Sequence, residues 1–235
     1  MTVRERLLSY DQTLFQAHNI AAEVRNIIRK EALPQKILKF IWDNGYKLRP
    51  EVLEQDEIPT SIRDDILSSC VENRKGAFYQ QHLRIFLRKH NPTDQEIITL
   101  CQKGLHCITQ MECWSMFPKR CQDLGLTHTL IDILSIDNIS DHVFEDRIAS
   151  VIVLVLRTIP DLQFEIFQHI FTVYKDNAFL IYLITPLCRA LSIQDQTAEL
   201  IIDGLELNEL RVVLKKSLIK QSFSDYIVAL LLLLL

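Results

Sequence analysis

The sequence predicts an all-α protein, and three observations predict it. Glycine occurs 5 times and proline 7 times in 235 residues, too few breakers for the many turns of an all-β sandwich. Apolar residues make up 48% and charged residues 24%, which gives the chain enough apolar surface to offset the entropy of ordering. Apolar residues recur at helical spacing almost everywhere, and strand-like alternation is never sustained.

Taken in order, Ile20, Val24, Ile27 and Ile28 form one stripe, with Glu23, Arg25, Asn26, Arg29 and Lys30 turned away. Pro34 suits the first turn of the next helix, where its missing N–H costs nothing. That helix buries Ile37, Leu38, Phe40 and Ile41 and stops at Gly45. Pro59-Thr60 opens a helix carrying Ile62, Ile66, Leu67 and Cys70. A helix near 77–90 presents Phe78, Leu83, Phe86 and Leu87 and ends at Asn91-Pro92, because the residue before proline disfavours the helical well. Thr93-Asp94-Gln95-Glu96 matches a capping box. After Gly125 a short helix carries Leu130, Ile131, Ile133 and Leu134, and a polar stretch runs from Ser135 to Asp141. The helix at about 142–159, with Ile148, Ala149 and Val151 to Leu156, is apolar on nearly all sides and is expected in the middle of the molecule. Beyond Pro160 the pattern predicts helices near 161–174, 177–191, 194–203 and 207–220. No Pro/Gly/Ser-rich linker interrupts the chain, so a single domain over 1–235 is expected.

The stretch Leu124-Gly125-Leu126 to Leu134, then the polar gap, then Asp146 to Leu156, resembles an armadillo or HEAT unit, in which a short leucine-ended helix leads through a turn to a long buried one. The resemblance covers about 35 residues and carries no diagnostic motif. It implies antiparallel helix pairs stacked as an irregular array. The alternatives are a compact irregular helical domain and, further off, an α/β fold. Such arrays need at least three units to bury their faces.

The net charge of −4 argues against non-specific nucleic-acid binding as the main activity. Charge is uneven: residues 1–120 hold 18 basic and 15 acidic residues, and 121–210 hold 4 and 14. The N-terminus lacks the apolar core of a secretory signal. The expected compartment is therefore the cytoplasm or nucleus, with Cys70, Cys101, Cys107, Cys113, Cys121 and Cys188 as buried free thiols.

The five glycines are isolated, so G-x-G-x-x-G, G-x-x-x-x-G-K-[ST] and G-x-S-x-G are all absent. H-E-x-x-H and the Glu-x-x-His of di-iron bundles are also absent. Cys101, Cys107, Cys113 and Cys121 are spaced too widely for structural zinc, and His106 beside Cys107 faces another way on a helix. Glu165 and His169 read as an i,i+4 surface pair, and neither Asp64-Asp65 nor Glu145-Asp146 forms a convergent carboxylate pair. No metal and no cofactor is expected.

Two basic stretches remain, Arg74 to Lys89 and Arg211, Lys215, Lys216 and Lys220. Tyr226 to Leu235 is wholly apolar, about 15 Å long as a helix and too short to span a bilayer. It reads as a buried or interface helix, or as the cut end of a longer chain. These readings converge on a non-enzymatic scaffold or adaptor within a larger complex. Its acidic-segment partner would meet Arg84, Arg88 and Lys89. The alternatives are an enzyme or ligand-binding domain with a pocket assembled from distant residues, and a phosphate or nucleic-acid contact through the basic helices.

Overall fold

The computed structural model describes residues 1–17, 19–71, 77–104, 107–135, 142–174 and 179–204. Among them every regular element is helical. The expectations for Arg74, Lys75, His106, the basic helix at 207–220 and the apolar terminus 226–235 lie outside these residues.

The chain divides into two units, Met1–Met116 and Phe117–Leu235. No Pro/Gly/Ser-rich linker marks that division, but the charge balance shifts close to it, from 18 basic and 15 acidic residues over 1–120 to 4 and 14 over 121–210. The first unit contains α1 (Val3–Leu8), α2 (Ile20–Lys30), α3 (Gln35–Asn44), α4 (Arg49–Leu53), α5 (Thr60–Val71), α6 (Ala77–Lys89), α7 (Asp94–Lys103) and α8 (Cys107–Met116). Short 3-10 turns at Gln12–Gln16 and Tyr46–Leu48 complete it.

Local chemistry sets these boundaries. Thr93 and Glu96 form the capping box, with the Glu96 N–H donating to Thr93 Oγ1 at 3.2 Å and the Thr93 N–H to Glu96 Oε2 at 2.6 Å. A second box, Thr2 with Glu5, starts α1. Pro34 stands one position earlier than its composition predicts: it is the N-cap of α3, and its carbonyl accepts from Ile37 and Leu38. Gly45 ends α3 at negative φ. Glycine is needed there for space, since a Cβ would sit 2.9 Å from the Phe15 ring.

Packing follows the apolar stripes. Val24 and Ile28 of α2, Ile37, Leu38, Phe40 and Ile41 of α3, Ile62 and Ile66 of α5, and Leu83, Phe86 and Leu87 of α6 are buried. Each such side chain contributes roughly 1.5–3 kcal/mol by leaving water. Helices pack against their second neighbours as well as their first: α2 on α4, α3 on α5, α4 on α6, α5 on α7 and α6 on α8.

The second unit contains α9 (Pro118–Asp123), α10 (Thr127–Ile133), α11 (His142–Thr158), α12 (Gln163–Tyr174), α13 (Phe179–Ala190) and α14 (Asp195–Gly204). The second-neighbour pattern recurs there, α11 on α13 and α12 on α14. The buried Tyr174 hydroxyl at the end of α12 donates to the Leu134 carbonyl at 2.6 Å. One expectation is corrected. α11 is not covered on nearly all sides: Ser150, Leu154, Arg157 and Thr158 line an exposed stripe, with Leu154 42% exposed. The run Val151 to Leu156 is apolar in composition, and its neighbours cover only part of the helix.

Candidate partner-binding surface

The site is best approached through the corners where one helix of a pair turns into the next. Gln55, just after α4, donates to the Ile28 carbonyl at 2.5 Å and accepts from the Leu33 N–H at 3.1 Å. His90, just after α6, bonds through Nε2 to the Leu53 carbonyl at 2.8 Å. A carbonyl only accepts, so that ring nitrogen carries the proton. Arg63 Nη1 in turn donates to the His90 carbonyl. In the second unit Gln163 holds Ser192 and Gln194 in the same manner, and Arg157 donates twice to the Ala190 carbonyl. Polar side chains thus satisfy backbone groups of the preceding or following corner, most of them partly removed from water, where an unmade bond carries a cost.

Ion pairs run between the same helices. Arg25 pairs with Glu51, Arg63 with Glu96 at 2.7 Å, and Lys39 with Asp65 of α5 as well as with Asp43 of its own helix. The three residues expected to meet a partner belong to this set. Arg84 Nε donates to Glu112 at 2.7 Å, Arg88 to Glu54 at 2.8 Å, and Lys89 lies 3.2 Å from Asp56. The Glu112 side chain is only 5% exposed, so Arg84 balances a charge that burial would otherwise make expensive. The basic face of α6 is thus matched by carboxylates from α8 and from the segment after α4. Periodicity within α6 cannot show this, because the acids are 28 to 34 residues away.

A different cluster went unnoticed at the sequence level. Trp42 near the end of α3, Tyr46 in the following 3-10 turn and Arg49 at the start of α4 come together. The Arg49 guanidinium carbon lies 4.8 Å from the Trp42 ring centre and 5.2 Å from that of Tyr46. Its Nε donates to the Trp42 carbonyl at 2.9 Å. The Trp42 indole N–H donates to Asp65 at 3.1 Å, and His82 packs on Trp42 with centroids 5.7 Å apart. His82 is buried and its Nε2 has no partner among the described residues. Burial, helped by the Arg49 charge, pushes its pKa down to about 4. The signal available in the sequence is the spacing of Trp42, Tyr46 and Arg49 at i, i+4 and i+7.

Cavities in the first unit include two of note among the described residues. One of about 370 Å3 between α2, α4 and α6 is lined by Ile28, Pro50 and Ile85 and by Glu51 and Glu54, whose carboxylates pair with Arg25 and Arg88. The other, of about 520 Å3, lies between the Phe15 turn, the start of α2 and the Gly45–Leu48 turn. Among the described residues no group of three His, Cys, Asp or Glu side chains is placed to hold a metal. All six cysteines are thiols, and five are buried, with Cys107 half-buried. Burial pushes the Cys188 thiol up to about 12, so it stays protonated at neutral pH. Glu165 is exposed, and His169, half-buried, is lowered by burial against the opposing pull of Asp132. No described helix is long and apolar enough to cross a membrane. Comparison with family models, with curated proteins and with solved structures gives no match for this chain.

Proposed function

We propose that the chain is a non-enzymatic scaffold, built as an irregular armadillo- or HEAT-like array of helix pairs, that binds another protein within a larger complex in the cytoplasm or nucleus. The observation that carries this reading is the second-neighbour packing in both units, α4 on α6 on α8 and α12 on α14. Stacked pairs of this kind present a long, rigid face made of successive helices, the geometry that suits extended protein contacts. The corner bonds of Gln55, His90 and Gln163 support it, because each ties one pair to the next and resists shear between them.

Affinity purification of the full chain from the cells that express it, followed by gel filtration, tests the reading. A second polypeptide co-eluting at fixed stoichiometry is the expected result. A chain that elutes alone and carries a tightly held small molecule would overturn it.

A further inference from the structure

We infer that Arg49 anchors an acidic side chain of a protein partner, with Trp42 and Tyr46 as the walls of its seat; the inference rests on the scaffold reading above. The turn after Gly45 builds this seat. It brings Tyr46 and Arg49 back over the last turn of α3, so the guanidinium lies against two rings and its Nε is fixed on the Trp42 carbonyl. The four N–H groups of Nη1 and Nη2 have no acceptor among the described residues.

The rest of the unit sharpens the contrast. Arg25, Arg63, Arg84 and Arg88 are each placed on a carboxylate. The acid that touches this cluster, Asp65, is engaged by the Trp42 indole and by Lys39. The neighbouring His82 ring brings no negative charge. Arg49 is half-buried, and Tyr46 beside it is 50% exposed, so a partner's side chain can reach the fork along an aromatic wall.

Chemistry selects the occupant. A planar guanidinium presents parallel N–H groups that match a carboxylate bidentately. Stacking has already fixed its rotamer, so little side-chain freedom is lost on binding. Trp, Tyr and Arg are the residues that dominate binding energy at protein interfaces. A phosphate gathers more positive charge than one arginine supplies, and Arg49 is the one cation stacked on these two rings among the described residues.

The test is an NMR titration of the full-length, 15N-labelled chain with an acetylated, amidated hexaglutamate peptide. Sodium chloride at matched ionic strength and inorganic phosphate serve as parallel arms. The Arg49 Nε–H and Trp42 indole N–H signals should shift saturably with the peptide and not with salt. Arg49→Lys should weaken the peptide at least 10-fold, and Arg4→Lys, in α1, should leave it unchanged. If Arg49→Lys fails to fold, Tyr46→Ala, at an exposed position, should weaken it at least 3-fold. No saturable shift at millimolar peptide, equal affinity in these variants, or a stronger response to phosphate would overturn the inference. A cellular partner held in full by Arg49→Lys would overturn the role of Arg49 and leave the scaffold standing. A chain with no protein partner would overturn the scaffold itself.

Discussion

Arg63 of α5 closes on Glu96 of α7 through two bonds, Nε to Oε1 at 2.9 Å and Nη2 to Oε2 at 2.7 Å, while the same Glu96 carboxylate caps its own helix through the Thr93 N–H. One side chain therefore both starts α7 and fastens it to α5. Burial works to raise the Glu96 pKa, and the Arg63 and Thr93 bonds outweigh it and hold the carboxyl below its usual value.

Replacing Glu96 by Gln should cost about 2 kcal/mol at pH 7, because Arg63 loses its charged partner and the cap is weakened. Both tryptophans, Trp42 and Trp114, lie in the first unit, so urea unfolding followed by their fluorescence reports it. A depressed carboxylate stabilises the fold above its unfolded pKa and loses that contribution as pH falls through the folded one. The difference between wild type and Glu96→Gln should therefore shrink below about pH 4.5.

His82 acts in a separate window. Its folded pKa, about 4, lies below the 6.5 of a free imidazole. The unfolded chain thus takes up the proton first, and stability falls as pH drops from 6.5 towards 4. The loss is at most about 3 kcal/mol. His82→Leu should remove this acid sensitivity between pH 6.5 and 4 and keep stability at pH 7.5 within about 1 kcal/mol. Urea midpoints across the pH range check it, and an unchanged acid slope in the variant would contradict it.

The corner bonds make a local prediction. Gln163 is 3% exposed and serves two backbone groups, the Ser192 carbonyl and the Gln194 N–H. Gln163→Ala removes both of these part-buried bonds, at a cost of about 1–2 kcal/mol. Hydrogen exchange at the Gln194 amide should accelerate more than exchange at Ile166 in the middle of α12.

Two glycines should fail for different reasons. Gly45→Ala pushes a methyl against the Phe15 ring and the Ile41 carbonyl, at 2.9 and 3.0 Å, and should cost about 1–3 kcal/mol. At Gly125 nothing lies within 4 Å, and φ is +70°. Gly125→Ala should cost about 1 kcal/mol from backbone strain alone, and Gly125→Asn less, since asparagine tolerates the left-handed region. Thermal unfolding by circular dichroism ranks the three.

The helices were legible because their information is local. The Thr93–Glu96 box, Asn91-Pro92 and the stripes of α2, α3 and α5 state their ends and faces within one or two turns. The short α4 was not legible, since Arg49-Pro50-Glu51-Val52-Leu53 is too brief to show a period. What surrounds Arg84, Arg88 and Lys89 was also hidden, because Glu112, Glu54 and Asp56 reach them only through packing of second neighbours. The same holds for Arg49, whose setting depends on how the turn after Gly45 folds back on Trp42.

Native mass spectrometry of the tagged full-length chain, isolated gently from its own cells, weighs the assembly intact. A mass above the 27.4 kDa of the chain by that of a distinct polypeptide, in one fixed ratio, is what a binding scaffold predicts. A species at the bare mass of the chain, or raised only by a small molecule that the preparation consumes, would contradict it.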